Sequence, residues 1–136
     1  MLVVVDTNVL VSGLLNPRGN PGLIVQLILS KNVDLALDDR ILCEYAEVLH
    51  RDDLKLPKKE VDILLGYVRG QSVRIDAVPL PITLPDPGDQ PFFEVATACA
   101  ADFLITGNMK HFPKVEQAIL PKDFILFWRE NIASRK

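Results

Sequence analysis

Asp6 follows directly on the apolar run Leu2 to Val5, and Thr7 and Asn8 extend the polar interruption. Further along stand Glu44, the pair Asp86 and Asp89, and Thr106-Gly107-Asn108. All are oxygen donors, with no His or Cys cluster among them. Carboxylates gathered at one place repel one another, and a hard cation that takes oxygen ligands relieves that repulsion. The donor set therefore predicts Mg2+ or Mn2+ and argues against zinc. Each residue also has a structural alternative. Asp6 and Asp89 could cap the helices that follow them, Asp86 lies between prolines as turn residues do, and Asn108 could close a turn after Gly107. The case for a site is collective.

The residues come together only if the elements around them bring them together. Leu2 to Val5 is a short, wholly apolar, β-branched run, as expected of a buried parallel strand. A short helix from Thr7 or Asn8 to about Leu15 follows, and "NPRG" breaks it. Asn20-Pro21 reads as an N-cap and first helical position, opening a helix with Leu23, Ile24, Leu27 and Ile28 on one face. Val33 to Leu37 reads as the second strand. Asp38 or Asp39 caps a helix to about His50, and Lys58 to Arg69 places Val61, Leu64, Leu65 and Val68 at helical spacing. Later elements are strands at Val73 to Ile75, Phe103 to Thr106 and Ala118 to Leu120, with helices at Phe92 to Ala101 and Pro121 to Asn131. Alternating strands and helices predict an α/β sandwich around a parallel sheet.

The segment "AVPLPITLPDPG", Ala77 to Gly88, carries four prolines. Too little chain follows it for a comfortable second domain, so it reads as a crossover from one side of the sheet to the other, within a single domain over 1–136. Sheets of this kind bind ligands beyond the carboxyl ends of their strands, where strand order reverses. Asp6 and Thr106-Gly107-Asn108 lie at such ends. Asp86 and Asp89 lie where the crossover enters the next helix. In "ILCEYAEVLHR", at about 100° per residue, Glu44 falls on the margin of the stripe Ile41, Leu42, Tyr45, Val48 and Leu49, while Glu47 falls farther toward solvent. Glu44 can reach a cleft. Ser12 can lend a hydroxyl from behind, or simply sit inside its helix.

The chain has 136 residues, 49% of them hydrophobic, and a net charge of −3, which fits a compact fold and not a protein that coats nucleic acid. No stretch reaches the ~18–20 apolar residues that span a bilayer, and the amino terminus shows no secretory pattern. Cys43 and Cys99 lack metal spacing and are expected to be buried free thiols in a reducing cytoplasm.

"DTNVLVSGLL" resembles the opening motif of PIN-domain proteins, especially the toxin components of toxin–antitoxin pairs. "ILCEYAEVLHR" resembles that family's second motif, its acid falling on Glu44, and "DPGDQPFFEVATACAADFLITGNMKHFP" the third and fourth. The motifs keep the family's order and spacing over nearly the whole chain. The resemblance implies a three-layer α/β/α sandwich with a five-stranded parallel sheet ordered 3-2-1-4-5, and metal-dependent ribonuclease chemistry. It assigns Asp6, Glu44 and Asp89 to the metal site, implies an antitoxin partner, and leaves room for a homodimer. Two positions depart from the pattern: Gln90, where many relatives have an acid or asparagine, and Asn108, where many have aspartate.

Such a site supports phosphodiester hydrolysis of RNA. Asp6 and Asp89 would hold the cation, and Glu44 would position a second ion or the water. Asn108, Thr7, Asn8, Ser12, Thr106 and Asp86 would support them, and Arg18, Lys110 and His111 could touch flanking phosphates. Two other readings stay open. A receiver-type phosphoacceptor would need acids beside Asp6, where Thr7 and Asn8 stand. A PIN scaffold that binds RNA or a partner without cutting fits the thinner acid set at Gln90 and Asn108. Phe124, Ile125, Phe127 and Trp128 near the end are expected to pack mostly on the sheet, any exposed remainder serving a homodimer or an antitoxin.

Overall fold

The computed structural model describes residues 1–131. Five parallel strands form one sheet: β1 (Leu2–Val5), β2 (Asp34–Leu37), β3 (Val73–Arg74), β4 (Phe103–Ile105) and β5 (Ala118–Ile119). Their spatial order is β3-β2-β1-β4-β5, the predicted one. β1 is central because it is apolar on both faces: Val3, Val4 and Val5 are fully buried, as a strand covered from both sides requires. Val3 pairs with Leu35 on one side and Phe103 on the other. The edge strand β3 is two residues long and exposed on both, shorter than the predicted Val73 to Ile75.

Six helices cover the sheet: α1 (Thr7–Leu15), α2 (Asn20–Leu29), α3 (Asp39–Leu49), α4 (Lys58–Gln71), α5 (Gln90–Ala98) and α6 (Pro121–Asn131). Helices α1, α2 and α6 form one packed group, while α5 crosses β1, β2 and β4 beside α3. The caps follow the sequence closely at α3, where the Asp38 carboxylate accepts from the Ile41 N–H at 3.0 Å. At α2 the helix starts one residue early, on Asn20 itself, with Gly19 as its cap. Two glycines allow close packing here: one on α1, where a Cβ on Gly13 would lie 2.7 Å from Val25 Cγ2 of α2, and one on α2, where a Cβ on Gly22 would lie 2.2 Å from the Pro17 carbonyl oxygen in the connection between the helices.

The proline-rich segment after β3 is a crossover. It carries the chain past β2 and β1 to the far side of the sheet. Its backbone N–H groups find side-chain acceptors on α5. Leu84 donates to Gln90 Oε1 at 3.1 Å, and Leu80 donates to Glu94 Oε2 at 3.0 Å. Gln90 Nε2 in turn donates to the Ile82 carbonyl at 2.7 Å. Glu94 is buried and held on its other side by Arg40 Nη1 of α3 at 2.7 Å. Burial alone would raise its pKa, but the Arg40, Leu80 and Gln90 hydrogen bonds bring it below the ordinary range.

One expectation needs correction. Cys43 is exposed and Cys99 only half-buried, because each lies off the apolar face of its helix or at its end. Of the apolar set near the end, Phe124 and Ile125 are buried and Phe127 and Trp128 half-buried, with Phe124 and Phe127 edge-on to Phe103. Among the described residues no helix is long and apolar enough to cross a membrane.

Candidate active site

The chain runs from β1 outward to β3, then returns to place β4 on the other side of β1, so strand order reverses between β1 and β4. Asp6 and Thr106 are the first residues beyond those two strands, and they bond across the reversal. Thr106 Oγ1 donates to Asp6 Oδ2 at 2.9 Å, and both residues are buried. The Thr106 oxygen also accepts from the Asn108 N–H at 3.1 Å, which fixes the loop behind it. Asp6 is the cap residue of α1 by position, yet its side chain makes no capping bond. Capping does not explain it.

Glu44 stands on α3 and accepts a hydrogen bond from the Thr7 hydroxyl. It is half-buried, while Glu47 is exposed and pairs only with Arg51, at 3.4 Å, so the helical phase read from sequence holds. Between them the fully buried Tyr45 donates its hydroxyl to the Val5 carbonyl, locking α3 to the end of β1. Burial, then Asp6 and Glu44, push that phenol well above its ordinary pKa, so it stays a donor.

Asp86 opens a short 3-10 turn, Pro87–Asp89, its carboxylate accepting from the Gly88 N–H at 2.9 Å. Asp89 ends the turn and begins α5, again without a capping bond. Its Oδ2 lies 2.9 Å from His111 Nδ1 but without hydrogen-bond alignment, so this buried oxygen has no donor. Donor atoms of Asp86, Asp89 and His111 lie within 4.8 Å of one another.

These side chains line one open cleft of about 230 Å³ that includes Asp6, Thr7, Asn8, Glu44, Asp86 and Asp89, with Arg51 and His111 at its basic edge. Its electrostatics are those of crowded acids. Burial raises the Asp6 carboxyl, against the pull of the Thr106 hydroxyl and the N–H groups of Thr7 and Asn8. Asp89 is pushed up to about 6, first by burial and then by Asp6; Asp86 and Glu44 add to this, and His111 opposes it.

Four predicted residues are placed elsewhere. Asn108 is exposed and does not line the cleft, and Ser12 faces solvent on α1. Lys110 is exposed and outside the cleft as well, while Gln90, the departure from the family's acid, is turned to the crossover, where its amide is used on both ends. Arg18 lies outside the cleft too. Conversely, Arg51 was not anticipated at all, and His111 was expected to touch phosphate, not to face Asp89.

The family model described as the PIN domain matches residues 2–110. The chain belongs to the PIN domain family. Among solved structures this PIN domain is similar to a chain in the crystal structure of VapBC2 from Rickettsia felis bound to a DNA fragment from their promoter. The TM-score is 0.56 at 22% identity, over 88% of this chain and 97% of that one. At that identity the likeness speaks for the fold. Comparison with curated proteins gave no match.

The donor set of this PIN domain fits a hard divalent cation. It offers several carboxylates at one point, a buried Asp89 oxygen that accepts no hydrogen bond among the described residues, and an Asp89 pKa raised by burial and then by the neighbouring Asp6.

Proposed function

We propose that this PIN domain is a divalent-metal-dependent endoribonuclease, the toxin of a toxin–antitoxin pair. The observation that carries the reading is the meeting of Asp6, Glu44 and Asp89 in one cleft at the reversal of strand order. Asp6 and Asp89 would hold Mg2+ or Mn2+, with Glu44 facing them. When bound, the cation neutralises phosphate charge and lowers the pKa of water, so that phosphodiester hydrolysis can run at neutral pH. The chain's own residues supply position. The Thr106 hydroxyl orients Asp6, and the Thr7 hydroxyl orients Glu44. Asn8, exposed at the lip, is placed to donate to a phosphate or ribose oxygen. Asp86 and His111 shape the rim around Asp89.

The test is cleavage of a labelled single-stranded RNA with Mg2+ or Mn2+, with and without chelator. Cleavage should require the cation, and Asp6→Asn should lower it by more than the ~10–100-fold that follows loss of a partner behind a metal ligand. Cleavage surviving exhaustive chelation would overturn the reading. One observation favours a second reading, a scaffold that binds without cutting: Gln90 and Asn108 give the cleft no further carboxylate. Metal-independent RNA binding with no cleavage under either cation would select it.

An antitoxin partner is supported by the pairing named for the Rickettsia felis structure and by an apolar groove between α1, α2 and α4. That groove has Leu14, Val25, Leu29, Pro57 and Leu64 as walls and the exposed Ile63 at its edge.

A further inference from the structure

A second depression, of about 170 Å³, lies where α3 gives way to α4, and it shares a wall with the acidic cleft. Arg51 lines both. Around it stand His50, Arg51, Lys55 and Lys58, with Leu56 and the buried Val61 among the apolar lining residues. Asp52 is the single carboxylate among its lining residues. In a chain of net charge −3, this is a local reversal of sign.

The lysines sit where local structure does not favour them. Lys55 adopts a left-handed backbone, φ 52°, at the end of the short turn Asp52–Leu54. Lys58 and Lys59 are the first two residues of α4, where the positive end of the helix dipole disfavours cations. A negative ligand removes that penalty. Among the described residues, the half-exposed Arg51 side chain has only its long contact to Glu47 to hold it. A basic rim with apolar walls suits a nucleotide, the phosphate on the cations and the base or ribose against Leu56.

Resting on the ribonuclease reading, we propose that this depression is a substrate subsite. It receives the phosphate and base of single-stranded RNA next to the scissile phosphate, with Arg51 guiding the strand out of the acidic cleft. The acidic site alone would repel the polyanion until a cation is bound. The basic depression supplies cation-independent affinity beside it.

Fluorescence anisotropy of a labelled single-stranded RNA on full-length protein carrying Asp6→Asn, which keeps the RNA intact, tests this over a salt series. Adding Lys55→Gln and Lys58→Gln should weaken binding several-fold. It should also flatten the slope of log affinity against log salt by ~1.4, since each phosphate no longer neutralised on a single strand takes away ~0.7. Lys31→Gln with Lys122→Gln makes the same change of net charge at exposed positions outside the depression and should leave both quantities unchanged. Calorimetric Mn2+ binding, measured with Asp6 intact, should be the same with and without the Lys55 and Lys58 changes. Equal losses in the two double variants, or no loss in either, would overturn the subsite while leaving the ribonuclease reading standing. Wild-type protein that neither binds nor cuts RNA would remove both.

Discussion

Asp89 is where protonation and cation binding compete. Its ordinary pKa is 3.8 and its folded value about 6, so the folded protein holds this proton more tightly than the unfolded chain does. The group's contribution to stability therefore falls as pH rises from about 4, and the loss is complete above about 6. Metal-free Asp89→Asn should lack this fall. Melting temperatures of the two proteins across pH 4.5–7.5 should diverge in favour of the variant as pH rises; parallel curves would remove the raised pKa. For the same reason Mn2+ should bind more tightly at pH 7.5 than at 5.5, with proton release seen by calorimetry in buffers of different ionisation enthalpy. Asp6→Asn should keep or raise the metal-free melting temperature, because it removes a buried charge among acids while an amide oxygen still accepts from Thr106. Asp6, Glu44 and Asp89 were legible in the sequence because strand ends and helical phase determine where their side chains start. Arg51 and His111 were not. Their placement depends on the path of irregular segments, which no periodicity encodes.

The connection between α3 and α5 sets the spacing of the cleft. Glu44 rides on α3 and Asp89 begins α5, and Arg40 to Glu94 is the ion pair that joins these helices. Arg40→Ala would leave Glu94 buried with the Leu80 N–H and a long Gln90 contact. We expect a loss on the order of 1–3 kcal/mol in denaturant unfolding, with weaker Mn2+ binding although no proposed ligand is changed. Unaltered metal affinity would show that the pair serves stability alone. Where α2 meets the connection from α1, Gly22→Ala should cost at least ~2 kcal/mol, because the added Cβ meets backbone that cannot step aside. A melting temperature within error of wild type would contradict the close approach. Most elements were readable to within a residue or two, since apolar β-branched runs, helical spacing and, at α3, an Asp cap mark them locally. Their order in the sheet was not local information; the family resemblance implied it. Glu94 gave no signal at all: inside an apolar helix it looks like one exposed face, and its partners lie on α3 and on the crossover.

At the scale of the whole molecule, the described residues form surfaces of opposite character: an acidic cleft, a basic depression beside it, and an apolar groove between α1, α2 and α4. Ile63→Glu at the groove's edge should leave RNA cleavage near wild type while weakening inhibition by an antitoxin at least tenfold, measured by titrating the partner into the cleavage assay. Equal inhibition would place the partner elsewhere. The crossover has a different consequence, one for synthesis on the ribosome. β1 is the central strand, yet its partner along Val3 to Val5 is β4, made about a hundred residues later. Through most of translation the most apolar strand of the sheet has an open edge. Asp6 and Glu44 emerge early, but Asp89, Thr106 and the strand that closes the reversal come only in the second half of the chain. A nascent chain short of them has half a cleft and no means of closing it, so the proposed chemistry would switch on only when nearly the whole fold has been made.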